Sequence, residues 1–188
     1  MLKILSVPVL LAALAGAGTS YVIVPPSFRD DGAILAAMAL RDSTEIQLGQ
    51  MAQAMGQSPS AKAFGRTLVR DHTAHLREVR ALAAKLGLAV GPETWDPVMR
   101  DDGAKALAAL AAKSPDEFDG ALADFGFEAH AAAVMLTEQE HLPAAQNAQV
   151  KALLRRTIGS LRAHLGAAKR IPARSVRTVS LQPVGTGR

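Results

Sequence analysis

No cysteine occurs among the 188 residues. That absence excludes disulfides, thiolate metal sites, a cysteine nucleophile and lipidation of an N-terminal cysteine. Aromatic residues are scarce, five Phe with one Trp and one Tyr, and no stretch keeps the alternation of a strand. Gly-x-Ser-x-Gly, a P-loop and a Gly-rich nucleotide turn are all missing, which leaves no motif for a hydrolase or a nucleotide-using enzyme. The body also lacks a basic surface. The net charge is +4, but Lys169, Arg170, Arg174, Arg177 and Arg188 crowd the last twenty residues and Lys3 stands near the start. Setting those six aside leaves the body at about −2, so no nucleic-acid partner is expected.

What the chain does have is helical rhythm, and the fold class reads as all-α. Residues 32–56 form a first helix with Asp30 or Asp31 as its cap. Ser58 and Pro59 then supply the cap and first position of a second, which stops at Gly87. Ser114-Pro115-x-Glu117 is a capping box that opens a third, running to about Leu142 before Pro143. Asn147 caps a fourth, to about Arg170. The connections are short, long, short, and the long one (88–113) holds Trp95 and a short helix near 103–112. That pattern predicts a ferritin-like four-helix bundle with one long crossover between helices 2 and 3. A shift of 89 residues lays 58–76 on 147–165 without a gap and pairs His75-Leu76 with His164-Leu165, which suggests two related hairpins.

The ends carry a different signal. MLKILSVPVLLAALAGAGTS has a lysine, an apolar run and small residues, the layout of a secretory signal cleaved after Ala15-Gly16-Ala17. Residues 1–17 are therefore expected to be removed. The alternative is an inner-membrane anchor reaching about Val24, against which stand Pro8 and Pro25-Pro26. Residues 18–31 read as a linker, 32–171 as the helical domain, and 172–188 as a basic, disordered tail. Either terminus offers a means of membrane association.

Chemistry concentrates in the stretch RDHTAHLREV (70–79). Leu68, His72, His75, Val79, Leu82 and Leu86 follow one another at spacings of three and four, the face a helix turns to a core. On the first helix Ile34, Met38, Arg41, Glu45, Leu48, Ala52 and Met55 make the matching stripe. His130 lies at the edge of the stripe of Phe118, Leu122, Phe125 and Leu136, and His164 lies within that of Val150, Leu154, Thr157, Leu161 and Ala168. Each helix thus turns an ionisable group inward. Glu45, His72, His75, His130 and His164 are candidate ligands for a single divalent metal, since imidazole and carboxylate on facing helices are the usual ligands in a bundle interior. Asp71 and Asp119 are candidate supporting carboxylates. The alternative is a metal-free polar layer in which those carboxylates satisfy the histidines and fix helix register. Glu-x-x-His is missing from helices 2 and 4, so a dinuclear oxygen-activating centre is not expected. Asp71, rotated by about 100° from His72, should reach a lysine or arginine. His141 reads as an exposed histidine at a helix end. Met38, Met51, Met55, Met99 and Met135 are too scattered for a thioether site, and Met38 and Met55 read as packing.

Four segments, TEIQLGQMA (44–52), LVRDHTAHLREVRALAAKLG (68–87), FDGALADFGFEAH (118–130) and IGSLRAHL (158–165), resemble the exported bacterial domain-of-unknown-function 4142 family. The similarity spans about 34–171, with Glu45, Asp71-His72, Phe118-Asp119, His130 and His164 at the family's motif positions. It implies a ferritin-like bundle and a signal-led envelope protein, periplasmic or associated with the outer membrane, with no established reaction. The chain departs from the family at Gly159, where proline is common, and at Gly126, where a larger apolar residue is usual. The second departure is expected to loosen packing one turn before His130. Three functions fit. The first is a metal-binding module for sequestration or sensing. The second is a metal-free structural or stress-related protein acting through an unidentified envelope partner. A metal-centred redox enzyme trails both.

Overall fold

A computed structural model describes residues 30–172. The signal segment, most of the linker and the tail beyond Pro172 lie outside the described residues. The elements are α1 (Asp31–Met55), α2 (Pro59–Leu86), a 3-10 turn (Pro92–Thr94), α3 (Pro97–Ala111), α4 (Pro115–Leu136), a π turn (Thr137–His141), α5 (Leu142–Ala144) and α6 (Ala148–Ala168). The described residues contain helix and no strand.

Helix starts follow the punctuation. Asp30, Ser58 and Asn147 accept hydrogen bonds from the first turns of α1, α2 and α6, and Ser114 with Glu117 forms the capping box of α4. Gly87 ends α2 at φ 69°, the left-handed position that glycine takes without a Cβ clash. Two segments differ from expectation. α3 begins at Pro97, well before residue 103, because Asp96 accepts from Met99 N and Pro97 takes the first helical position. The third long helix leaves α geometry at Leu136. In the π turn that follows, Leu142 N–H bonds Thr137 O, and the helix continues through Pro143 to Ala144. Pro143 has no N–H for the preceding turn, and the added residue of a π turn accommodates that gap.

Two carboxylates fix how the hairpins lie together. Asp31, at the start of α1, accepts from the backbone N–H groups of Gln146 and Asn147 at 2.9 Å each, where α6 begins. Asp119, early in α4, accepts from Gln57 and Ser58 N–H at 2.9 and 2.7 Å, where α2 begins. The start of each hairpin thus clasps the turn of the other. α1 and α6 therefore run parallel, as do α2 and α4, and the crossover carrying α3 returns the chain along the length of the molecule. These paired clasps give the internal repeat a structural counterpart. They also correct the expectation for Asp119, which supports a helix start and not a histidine.

α1 and α2 approach closely at Gly49 and Gly65. A Cβ on Gly49 would fall 2.7 Å from Gly65 O, and one on Gly65 would fall 2.6 Å from Gly49 O. Backbone can touch backbone here only because neither residue has a side chain.

Along the bundle the core divides in two. One cluster gathers Ile34, Leu35, Met38, Leu76, Val79, Leu136, Val150 and Leu154. The other gathers Leu48, Phe64, Leu68, Leu110, Phe118, Leu122 and Phe125. On α1, α2 and α6 the buried polar residues fall in the interval between these two sets, and on α4 His130 does, whereas Asp119 lies beside Phe118 at the outer end of the second set.

Candidate metal centre

α1 brings Asp42 and Glu45 to that interval, α2 brings His72 and His75, α4 brings His130, and α6 brings Thr157 and His164. Asp42 is 0% exposed, His130 1%, His164 3%, His72 4% and Glu45 6%. Burial at that level requires partners for polar atoms. Each of three imidazoles has one on its outer side. His72 Nδ1 donates to Asp42 Oδ1 at 2.9 Å, His130 Nδ1 to Gly126 O at 2.7 Å, and His164 Nε2 to Asp71 Oδ2 at 2.9 Å. The second nitrogen of each ring, His72 Nε2, His130 Nε2 and His164 Nδ1, is buried with no hydrogen bond, as is Glu45 Oε2.

Those outer bonds set the tautomers. A ring whose proton is held by a carboxylate or carbonyl keeps a lone pair on the other nitrogen, as metal-binding histidines do. The rings stand close, with centroids 5.1 Å apart for His72–His164, 5.2 Å for His130–His164 and 6.1 Å for His72–His130. One nitrogen from each lies within 4.8 Å of the other two. Points at that spacing fit a circle of about 2.8 Å radius, so closure to a metal–nitrogen distance of about 2.0–2.1 Å moves each ring by less than about 1 Å. Glu45 Oε2 stands 4.0 Å from His130 Nε2, a carboxylate at the edge of the three-histidine cluster.

The electrostatics favour uncharged rings. Burial pushes the His130 and His164 pKa values down, and the neighbouring histidines act in the same direction, against Glu45 for His130 and against Asp71 and Glu45 for His164. Burial works against the Asp42 carboxylate, but hydrogen bonds from His72 and His75 hold it below its usual range. Asp71 is also held low, first by its Arg70 hydrogen bond (2.6 Å) and then by His164.

His75 stands apart. Its Nδ1 donates to Asp42 Oδ2 at 2.7 Å and its Nε2 meets Thr157 Oγ1 at 2.8 Å, so both ring nitrogens are engaged away from the three-histidine cluster. It is a support for the layer. His141, expected on the surface, is buried at 1% exposure within the π turn. Its pKa falls to about 3 through burial, and the Arg41 charge adds to the effect. Asp42 is the participant that the sequence stripe passed over. Met38, Asp42, Glu45, Gly49 and Ala52 keep a spacing of four and three, and a stripe drawn through Arg41 is displaced by one residue.

Residues 24–171 match the family model described as Domain of unknown function (DUF4142). The chain belongs to the DUF4142 family. No curated protein and no solved structure matches it. Within this DUF4142 chain, the motif residues Glu45, His72, His130 and His164 meet in the layer, Asp71 backs His164, and Asp119 forms the clasp. Gly126 does not loosen the packing. A Cβ there would lie 3.0 and 3.1 Å from the Phe64 ring and 3.4 Å from Ala168, so Phe64 fills the space a larger residue would take. The Gly126 carbonyl is also what holds His130.

Proposed function

We propose that this chain is an exported envelope protein of ferritin-like build whose interior binds one divalent metal ion through His72, His130 and His164, with Glu45 as the fourth ligand. The observation that carries this reading is the convergence of three unbonded imidazole nitrogens whose opposite nitrogens are all held by acceptors. Three nitrogens and one carboxylate oxygen suit zinc and its first-row neighbours. With all four positions taken by protein and little solvent access, the chemistry favours holding or sensing a metal over turning over a substrate. Antiparallel α1–α2 and α4–α6 joined by a long crossover is the helix order of a ferritin-like bundle. Export rests on the leader, and intact-mass measurement of envelope protein tests it: a mass retaining Met1–Ala17 means an anchor instead. No helix among the described residues is long and apolar enough to cross a membrane.

The test is elemental analysis of protein purified from its native compartment without chelator or metal-affinity column, followed by zinc titration of His72→Leu and His130→Leu. Near-stoichiometric metal is expected in the unmodified protein. Each substitution should remove the metal and the thermal stabilisation that zinc confers. Metal-free protein that zinc does not stabilise would refute the reading. It would favour the second one, a structural protein interacting with an envelope partner, for which the bonds of Asp42 to both His72 and His75 speak as register-fixing contacts.

A further inference from the structure

Beside the histidine layer, α1, α3, α4 and the π turn line a half-open cavity of about 110 Å³. Its wall is mostly apolar, with Leu40, Met99, Phe125, Ala133 and Leu136 among the lining residues. Thr44, Glu45, His141 and Arg41 are its polar lining, and Arg41 Nε and Nη2 are buried and make no hydrogen bond. A guanidinium with donors in that state is under strong pressure to take an anion, because each unbonded buried donor of a charged group carries a heavy desolvation cost. Of the two nearby acids, Asp42 is committed elsewhere and Glu45 leans toward His130. Asp42 accepts from His72 and His75, and Glu45, which also lines the cavity, stands 4.0 Å from His130. His141 on the far side is uncharged at neutral pH and adds no competing charge. The π turn that carries His141 to the wall is a helix distortion frequent at functional sites.

We infer that this cavity binds a short aliphatic monocarboxylate, its carboxylate on the Arg41 fork and its alkyl tail against Leu40, Phe125 and Leu136. The fork of a guanidinium matches a carboxylate with two parallel N–H bonds. An apolar wall favours an organic acid over an inorganic anion. A cavity near 150 Å³ holds benzene, so this one takes about five heavy atoms, the size of propionate or butyrate. The inference does not depend on the metal, since Arg41 is not among the proposed ligands, although Glu45 lines this cavity too.

The experiment is a titration of the chelator-treated and the zinc-loaded protein with acetate, propionate, butyrate, hexanoate and inorganic phosphate, followed by calorimetry and by amide shifts of Leu40 and Ala133. Saturable binding should peak at three or four carbons in both forms, with a dissociation constant of about 0.1–1 mM. Arg41→Met should weaken binding at least about tenfold while the protein keeps its helical content. Its melting temperature should hold or rise, because two buried donors without a bond have been removed. Arg41→Lys, which keeps the charge and loses the fork, should fall between the two. Phosphate bound as well as butyrate, a length series without an optimum, or unchanged binding in Arg41→Met would each overturn the inference. Binding confined to zinc-loaded protein would move the carboxylate to the metal and overturn it as well.

Discussion

Acid should destabilise this fold through His141, and the size of the effect follows from its burial. In the unfolded chain this imidazole takes its proton near its ordinary value of 6.5, whereas in the fold it does so only at about 3. Between those values the unfolded state binds more protons, so stability is full above pH 6.5 and drains away as pH falls toward 3. From pH 7 to pH 4 the loss attributable to this one group is about 3 kcal/mol, each unit of the window counting for about 1.4. The lowered pKa values of His130 and His164 act in the same direction. Urea unfolding at pH 7 and pH 4 measures the difference in the native protein and in His141→Gln and His141→Leu. Whatever a substitution does to stability at pH 7, it should make the loss between the two pH values smaller by about 3 kcal/mol, a midpoint change of about 1–3 M urea. A native protein and variants that lose the same amount would show that His141 is not held neutral in the fold, and the reasoning would fail.

The remaining outcomes test the packing and the clasps. Gly49→Ala and Gly65→Ala each force a Cβ within 2.7 Å of a facing carbonyl and should cost about 1–3 kcal/mol by calorimetry. Gly159→Ala meets nothing within 4 Å and should stabilise by about 0.5–1 kcal/mol. Asp119→Ala leaves Gln57 and Ser58 N–H without their acceptor and should cost about 2 kcal/mol. Its effect should add to that of Asp31→Ala, since the clasps lie far apart and share no partner.

The helices were legible because their ends are written locally. Asp30, Ser58-Pro59, Ser114-Pro115-x-Glu117 and Asn147 act within one turn, and apolar spacing supplies the rest. His72 and His164 were legible for the same reason, as each interrupts an apolar stripe at the helical period. What escaped depends on contacts between distant segments. Nothing near Asp119 in sequence says that its carboxylate meets Gln57 and Ser58, 62 and 61 residues away. His141 stands beside Glu140 and two residues before a proline, which locally spells a helix end. Only the π turn rotates it into the interior. Asp42 is the instructive case, because its spacing of four from Met38 and three to Glu45 fits the core face, and a stripe drawn through Arg41 misfits that face by one residue.

A carboxylate on that core face bears on why the layer exists. A core set apart only for stability would fill this level with leucine, since buried ionisable groups are often no better than apolar side chains of similar volume. A layer built only for register would be expected to close on itself, with each polar atom matched within the protein. This layer does neither. Its outer bonds are complete at His72, His130 and His164, while three ring nitrogens and one Glu45 oxygen are left unbonded on the inner side. Each unsatisfied polar atom costs about 1–3 kcal/mol, a sum comparable to the whole stability of a domain. The asymmetry between saturated outer atoms and unbonded inner ones is what a bound cation would offset, and it is the feature on which the metal-binding proposal turns.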